Sequence, residues 1–420
     1  MNVERRDSLL GAEARGPVDF LRSPLAIRSR TEEVLQAGLA GDLSHFEVDL
    51  ERMPALIERV VKLTRQAYPA LDFPHHGRFG HLRVGDVDRI AWLEEALGDA
   101  SEDEKARARI DLVVTSVLLD AGAGMAWRYR EERTGLSMGR SEGLAMASYA
   151  MFEGGLFSAQ EGSPYRADAD ALDALDVAAL AAGFQVSSQN QMNGLEGRCE
   201  LLARLGSAMR ASPEMFGAQD PRVGGLYDYL RARSSGGVIA ARRILTAVLD
   251  GLGPIWPGRI ELDGVNLGDV WRHPVAGGGG ASAGLVPFHK LSQWLVYSMV
   301  EPLEMSGLRV SGLEELTGLA EYRNGGLLVD DGVLVLRDPS ASQRAHAVGS
   351  ELVVEWRALT VALLERIATG MREAFGKTPE ELPMSKVLQG GTWMAGRQAA
   401  QEKRADGAPP LRIQSDGTVF

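Results

Sequence analysis

Four polar residues interrupt a strongly apolar stretch between Val286 and Glu304. Lys290, Gln293, Tyr297 and Glu301 recur at i, i+3, i+7 and i+11, a spacing that brings them to one side of a helix. Phe288, Leu291, Trp294, Leu295 and Met299 supply the apolar remainder, and Pro287 is well tolerated in a first helical turn. Polar groups on such a helix are costly unless they meet water, a ligand or one another, so the stripe reads either as a solvated face or as the wall of a cleft. Further along, Ser311-x-x-Glu314 has the form of a capping box. It predicts a short helix through Leu316 and Leu319 that stops in Glu321-Tyr322-Arg323-Asn324-Gly325-Gly326, Asn and Gly being common helix-stop residues. Glu321 then falls in a last turn, where the helix carbonyls disfavour a carboxylate. Either a salt bridge to Arg323 or a chemical role accounts for it there.

A third set is His76-Gly77-Arg78-Phe79-Gly80-His81. Histidines at this spacing do not share a helix face, and no carboxylate cluster beside them completes a metal set. A forked Arg78 donor flanked by imidazoles suits an anion, and structural hydrogen bonding uses the same residue types. Asp120, Trp127, Tyr129, Arg140-Ser141-Glu142, Asn193, Glu196 and Arg198 add polar groups in apolar company. Among them Ser141 is a candidate helix cap and Glu196–Arg198 a candidate pair. There is no G-x-S-x-G elbow and no HExxH. Cys199 is the single cysteine, so serine, cysteine and zinc hydrolase chemistry weaken together. Neither GxGxxG nor GxxxxGK[ST] occurs. No metal ligand and no cofactor is assigned.

These candidates need a scaffold. The 420 residues are 45% hydrophobic and 24% charged, as in soluble globular proteins. Lys+Arg 45 against Asp+Glu 57 leaves −12, which disfavours a broad basic surface for nucleic acid. The opening MNVERRDSLLGAEARG lacks an apolar signal core, and no run reaches the roughly 18 apolar residues of a membrane span. The expectation is a cytoplasmic chain with no membrane partner. Hydrophobic periodicity predicts helices over 52–67, 87–98, 141–153, 168–182, 195–209, 237–250, 350–374 and 393–404. A further helix opens at the capping box Ser101-x-x-Glu104 and presents Ile110, Val113, Val114, Val117 and Leu118 as one stripe. The best strand signal is 327–336, two β-prone runs around Asp331-Gly332, which reads as one small β-hairpin. The expected fold is mainly α, a multi-helix arrangement. It comprises an N-terminal extension over 1–30, a helical lobe over 31–275, a glycine-rich connector over 276–284 and a helical C-terminal lobe over 285–420 with Lys290 and Glu321.

Six stretches resemble a uracil-catabolism family of the ring-opening pyrimidine pathway of fungi and bacteria, catalogued as a domain of unknown function. They are Leu118–Gly124 with Trp127 and Tyr129, Arg140–Leu144, Gly194–Arg198, Val286–Trp294, Ala320–Gly326 and Ser415–Phe420. The likeness runs from about residue 20 to the end of the sequence. It implies a pathway in which uracil becomes its nucleotide, a cyclohydrolase-like enzyme opens the ring and a ribosylurea-type compound arises. A functional link to that enzyme and to a uracil phosphoribosyltransferase follows from the same likeness.

Lys290-x-x-Gln293 with Ala320-Glu321-Tyr322-Arg323 is also similar to the Lys-x-x-Gln and Ala-Asp-Tyr-Arg pair of queuosine-5′-phosphate N-glycosylases. Those are helical proteins related in fold to helix-hairpin-helix DNA glycosylases. Here Glu stands for their Asp, and Asn-Gly-Gly for their Val-Pro-Gln. This second likeness implies a glycosylase-like C-terminal half and an N-ribosyl hydrolase that cleaves ribosylurea, as its 5-phosphate, to urea and ribose phosphate. Glu321 would be general base or cation stabiliser and Lys290 its partner. Gln293, Tyr322, Arg323, Asp120, Arg140, Glu142, Trp127, Asn193, His76, Arg78 and His81 are the pocket candidates, with Gln293 and Asn193 as amide partners for urea. The alternatives are an amidohydrolase acting on the ureido C–N bond and a non-catalytic partner of the cyclohydrolase.

Overall fold

The computed structural model describes residues 16–120, 122–124, 126–277 and 280–414. The motif at 415–420, residues 1–15 of the expected extension and the Gly278-Gly279 centre of the expected connector lie outside them. The described residues are mainly helical, as expected, and their paired strands are two or three residues long. No helix among them is long and apolar enough to cross a membrane. Two compact units divide the chain, each assembled from separated segments. The first takes the described residues through His75, then Gly258–Gln293 and those from Gly312 onward; the second takes His76–Pro257 and Trp294–Ser311.

The first unit is organised around the helix Glu351–Phe375, which is buried without a break from Leu352 to Leu364. Such all-round burial is expected of a helix with apolar residues on every side. It packs against Pro24–Ala40 and Met53–Ala67. Ser23 caps the former through its Oγ, Pro24 occupies its first turn, and Gly41 ends it in the left-handed region. The latter buries Met53, Leu56, Val60 and Thr64, one stripe at helical spacing. The helices Tyr322–Asp330 and Trp393–Lys403 pack on each other, and the former also packs on Glu351–Phe375. Small pairs finish the unit: Phe46–Val48 antiparallel to Leu334–Leu336, Val270–Arg272 antiparallel to Leu285–Pro287, and Ala345–Ala347 parallel to Arg412–Gln414.

In the second unit Ser101 caps Glu102–Leu118 through its Oγ, as expected. The expected stripe is buried, and so is every residue from Ala108 to Leu118. Asp111 lies in the interior, where its carboxylate pairs with the Arg222 guanidinium and accepts the Gly224 N–H at 2.6 Å. Around this helix pack Arg140–Glu153, Leu195–Ala211 and Gly225–Ala232.

Several local expectations are corrected. The stretch 327–336 is not a hairpin: Tyr322–Asp330 is a helix, Asp331-Gly332 ends it, and Leu334–Leu336 pairs with Phe46–Val48. Burial of Gly325, Gly326, Leu327 and Leu328 between neighbouring helices outweighs local β propensity. The capping box at Ser311 opens no helix. Ser311 closes the strand Arg309–Ser311, and Leu313–Glu315 makes a single 3-10 turn after Gly312. The helix expected from Val286 begins at Lys290, because Leu285–Pro287 is held in a strand. The stretch 168–182 divides into Ala169–Ala174 and Val177–Gly183, each with its own aspartate cap, Asp168 and Asp176. Ser141 lies inside Arg140–Glu153 and caps nothing.

Gly325 marks a tight approach beside the candidate site. Trp356 Nε1 donates to its carbonyl at 3.0 Å. A Cβ built there would lie 2.8 Å from Trp356 Nε1 and from Thr360 Oγ1. Overpacking of this kind typically costs about 1–3 kcal/mol. Gly325→Ala is therefore expected to lower the urea midpoint by that equivalent at unchanged m-value, read by equilibrium denaturation.

Candidate functional site

Glu321 and Lys290 belong to the same unit. Glu321 sits at the start of a helix, which reverses the last-turn placement expected from the sequence. Its backbone is extended and its carboxylate caps Tyr322–Asp330. Oε2 accepts the Arg323 N–H and Oε1 the Asn324 N–H, both at 2.6 Å. There the helix dipole favours the carboxylate that it would oppose at the other end. Burial pushes the Glu321 pKa above the ordinary glutamate value. The two N–H donors and the Lys290 and Arg323 cations oppose that shift. The group is half-buried, and each oxygen retains acceptor capacity beyond its one N–H partner.

What brings Lys290 here is a buried ion pair. Asp269 takes both terminal guanidinium nitrogens of Arg357, at 2.7 and 2.8 Å, and the Trp271 indole N–H at 2.6 Å. Its Oδ2 also accepts the backbone N–H of Lys290 at 3.0 Å. Burial pushes the Asp269 carboxyl up, but Arg357 and these donors outweigh it and hold it well below the usual range. Arg357 Nε in turn donates to Ala320 O at 3.3 Å, one residue before Glu321. One ion pair thus fixes the start of the Lys290 helix and the approach to the Glu321 cap. Just before Lys290, His289 has φ +46°, and its Nε2 lies 2.9 Å from Leu21 O. Burial lowers its pKa.

Gln293 is buried, and its amide is engaged by the protein. Nε2 donates to Phe288 O at 3.1 Å and to Thr317 Oγ1 at 2.9 Å, while Oε1 accepts the Thr317 N–H at 3.0 Å. It braces the segment leading to Glu321. Tyr322 is half-buried, and the Arg323 guanidinium lies 5.1 Å from the centre of its ring. Arg323 Nε and Asn324 Oδ1 are buried without a hydrogen-bond partner among the described residues. The sequence gives no prominence to Asn324 beyond a helix stop, whereas it stands in the first turn beside Glu321.

The remaining candidates fall in the second unit. Arg78 is fully buried. It pairs with Asp120 at 2.9 Å, donates to Ser116 Oγ at 2.7 Å and to Ser141 O at 3.1 Å, and lies 3.3 Å from His81 Nδ1. Its backbone N–H donates to Ser298 Oγ. Burial lowers the His81 pKa and Arg78 lowers it further, against Asp120 and Glu142. The His76 and His81 rings lie 4.7 and 5.9 Å from Trp294. Arg140 is half-buried at φ +56°. The structure thus brings Arg78, His81, Asp120 and Glu142 into one electrostatic cluster, with His76 beside it. Trp127 is fully buried, and its indole donates to Phe184 O at 2.9 Å. Asn193 is exposed, its carbonyl accepting from Arg198.

The model of a family described as a protein of unknown function (DUF1688) matches residues 20–420. The chain belongs to that family. Two relatives share its length. Uracil catabolism protein 4 of Lachancea kluyveri is 36% identical over 439 residues, covering 96% of this chain and 99% of the relative. Protein urg3 of Schizosaccharomyces pombe is 37% identical over 402 residues, covering 94% and 96%.

Asp269, Arg357 and Thr317 escape sequence reasoning. The available signal was Arg357 itself, set among Trp356, Ala358 and Leu359 in a long apolar helix, since a buried guanidinium requires a carboxylate. Removing one partner of a buried pair costs about 3–5 kcal/mol because it strands the other charge. Arg357→Met is expected to destabilise this family member by about that much. Arg357→Met combined with Asp269→Leu should recover a large part of it, as read by a double-mutant cycle in urea.

Proposed function

We propose that the chain acts in uracil catabolism as an N-ribosyl hydrolase, cleaving ribosylurea, as its 5-phosphate, to urea and ribose phosphate. The observation that carries this reading is the Glu321 carboxylate, half-buried, held by two backbone N–H groups and under the charge of Lys290. Breaking an N-glycosidic bond builds positive charge on the sugar, which a fixed carboxylate stabilises. The C1′–N bond breaks with its electron pair moving to the urea nitrogen, which takes up a proton from solvent in exchange for the one that Glu321 later releases. The oxygen of water adds to C1′, and Glu321 accepts the proton that water gives up. The charge of Lys290 opposes the rise that burial imposes on the Glu321 pKa. Asn324 Oδ1, without a hydrogen-bond partner among the described residues, suits a urea N–H, and Arg323 Nε an anionic or hydroxyl oxygen. The names of the two relatives support the pathway. The Glu321 geometry supports the reaction within it.

Urea and ribose phosphate released from synthetic ribosylurea 5-phosphate are the products to follow. Glu321→Gln keeps the shape of the cap and should lower kcat by roughly 10²–10⁴-fold, the usual worth of a positioned acid or base. Full turnover in the folded variant would overturn the role of Glu321. Ammonia and carbon dioxide without ribose phosphate would point to the ureido C–N bond instead.

The pH profile gives a second test. Glu321 acts ionised, so kcat/KM should fall on the acid side with an apparent pKa above the ordinary glutamate value of 4.5. Lys290→Met removes a cation that lowers this pKa. The acid limb should therefore move to higher pH in that variant, as measured by initial rates of urea release across pH.

A further inference from the structure

A cleft of 510 Å³ in the first unit lies where the helix Glu351–Phe375 begins, and His45, Ser350 and Glu351 are among its walls. Glu351 and Glu355 stand at i and i+4 on that helix, hence on one face. His45 immediately precedes the strand Phe46–Val48. One imidazole nitrogen of His45 and one carboxylate oxygen from each glutamate lie within 4.8 Å of one another. His45 Nε2 is 3.9 Å from Glu351 Oε1. Donors that share a cation at about 2.0–2.4 Å can be no farther apart than roughly 4.8 Å, and this trio meets that limit.

Glu355 supplies the independent observation. It is fully buried. Its Oε1 accepts the backbone N–H groups of His45 and Phe46 at 3.1 and 2.8 Å, which leaves Oε2. That oxygen is buried with no hydrogen-bond partner among the described residues. His273 Nε2 stands 3.5 Å from it, an ion pair when that imidazole is protonated, and makes no hydrogen bond among the described residues. A buried carboxylate oxygen lacking a donor is costly unless a positive charge meets it. The Ser350 Oγ in the cleft wall is also buried without a hydrogen-bond partner among the described residues.

We propose that His45, Glu351 and Glu355 bind a divalent first-row transition cation. The imidazole among the donors favours zinc, and the two carboxylates admit manganese. Three protein donors leave further coordination positions toward the cleft for water or an anionic ligand. The site is independent of the Glu321 chemistry.

The test is calorimetric titration of the full-length, chelator-stripped protein with ZnCl₂ and, separately, MnCl₂. One equivalent should bind saturably for at least one of the two metals. His45→Ala and Glu351→Gln should each weaken that binding by at least about tenfold, the scale on which ligand-sphere changes act. These two variants leave the backbone-tethered Glu355 intact, and circular dichroism reports their folding. An anomalous diffraction peak between the three side chains should accompany binding. No saturable heat with either metal up to about 1 mM, or affinity unchanged in both variants, would overturn the assignment.

Discussion

The salt bridge between Arg357 and Asp269 is the constraint on which the first unit's polar centre depends. A guanidinium and a carboxylate withdrawn from water lose several kcal/mol of hydration each, so the pair persists only with its remaining valences filled. Asp269 fills them with the indole of Trp271 and the backbone N–H of Lys290, and Arg357 donates to Ala320 O. The satisfaction of this buried pair is thus what sets where two functional segments begin. Replacing it by apolar residues could preserve stability, but nothing apolar could orient an N–H and a carbonyl at once.

The second unit follows the same rule with different partners. Arg78 is shared among Asp120, Ser116 and the Ser141 carbonyl; Asp111 binds Arg222; Glu131 takes the Nε and Nη2 donors of Arg89. Interior arginines of this kind tie segments that are distant in sequence. The planar fork of the guanidinium lets one side chain do this, where a lysine would offer a single point of charge.

Long helices were legible in the sequence. The expected 52–67, 87–98, 195–209, 350–374 and 393–404 appear as Met53–Ala67, Arg89–Leu97, Leu195–Ala211, Glu351–Phe375 and Trp393–Lys403, because apolar periodicity over several turns has few alternative explanations. Short-range punctuation was less legible. Asp263-Gly264 turns a true hairpin with both residues at positive φ, whereas Asp331-Gly332 terminates a helix. The dipeptide is the same, and the surroundings decide. Glu321 was misplaced for a related reason. Helix caps are normally Ser, Thr, Asp or Asn, and a glutamate with its extra methylene is passed over by that pattern. The residues that fix Lys290 were illegible because Asp269 and Arg357 are brought together only by the tertiary fold.

The Gln293 amide, spent at both ends on Phe288 and Thr317, acts as a rivet between two stretches of backbone. Lys290 stands three residues ahead of it on one stretch, and Glu321 four residues beyond Thr317 on the other. The two anchors are consequently tied: neither can slide past the other without breaking the hydrogen bonds of a buried amide. Any adjustment to a bound molecule must then come from the tips of the lysine and arginine side chains, or from the molecule itself, rather than from the frame that carries them.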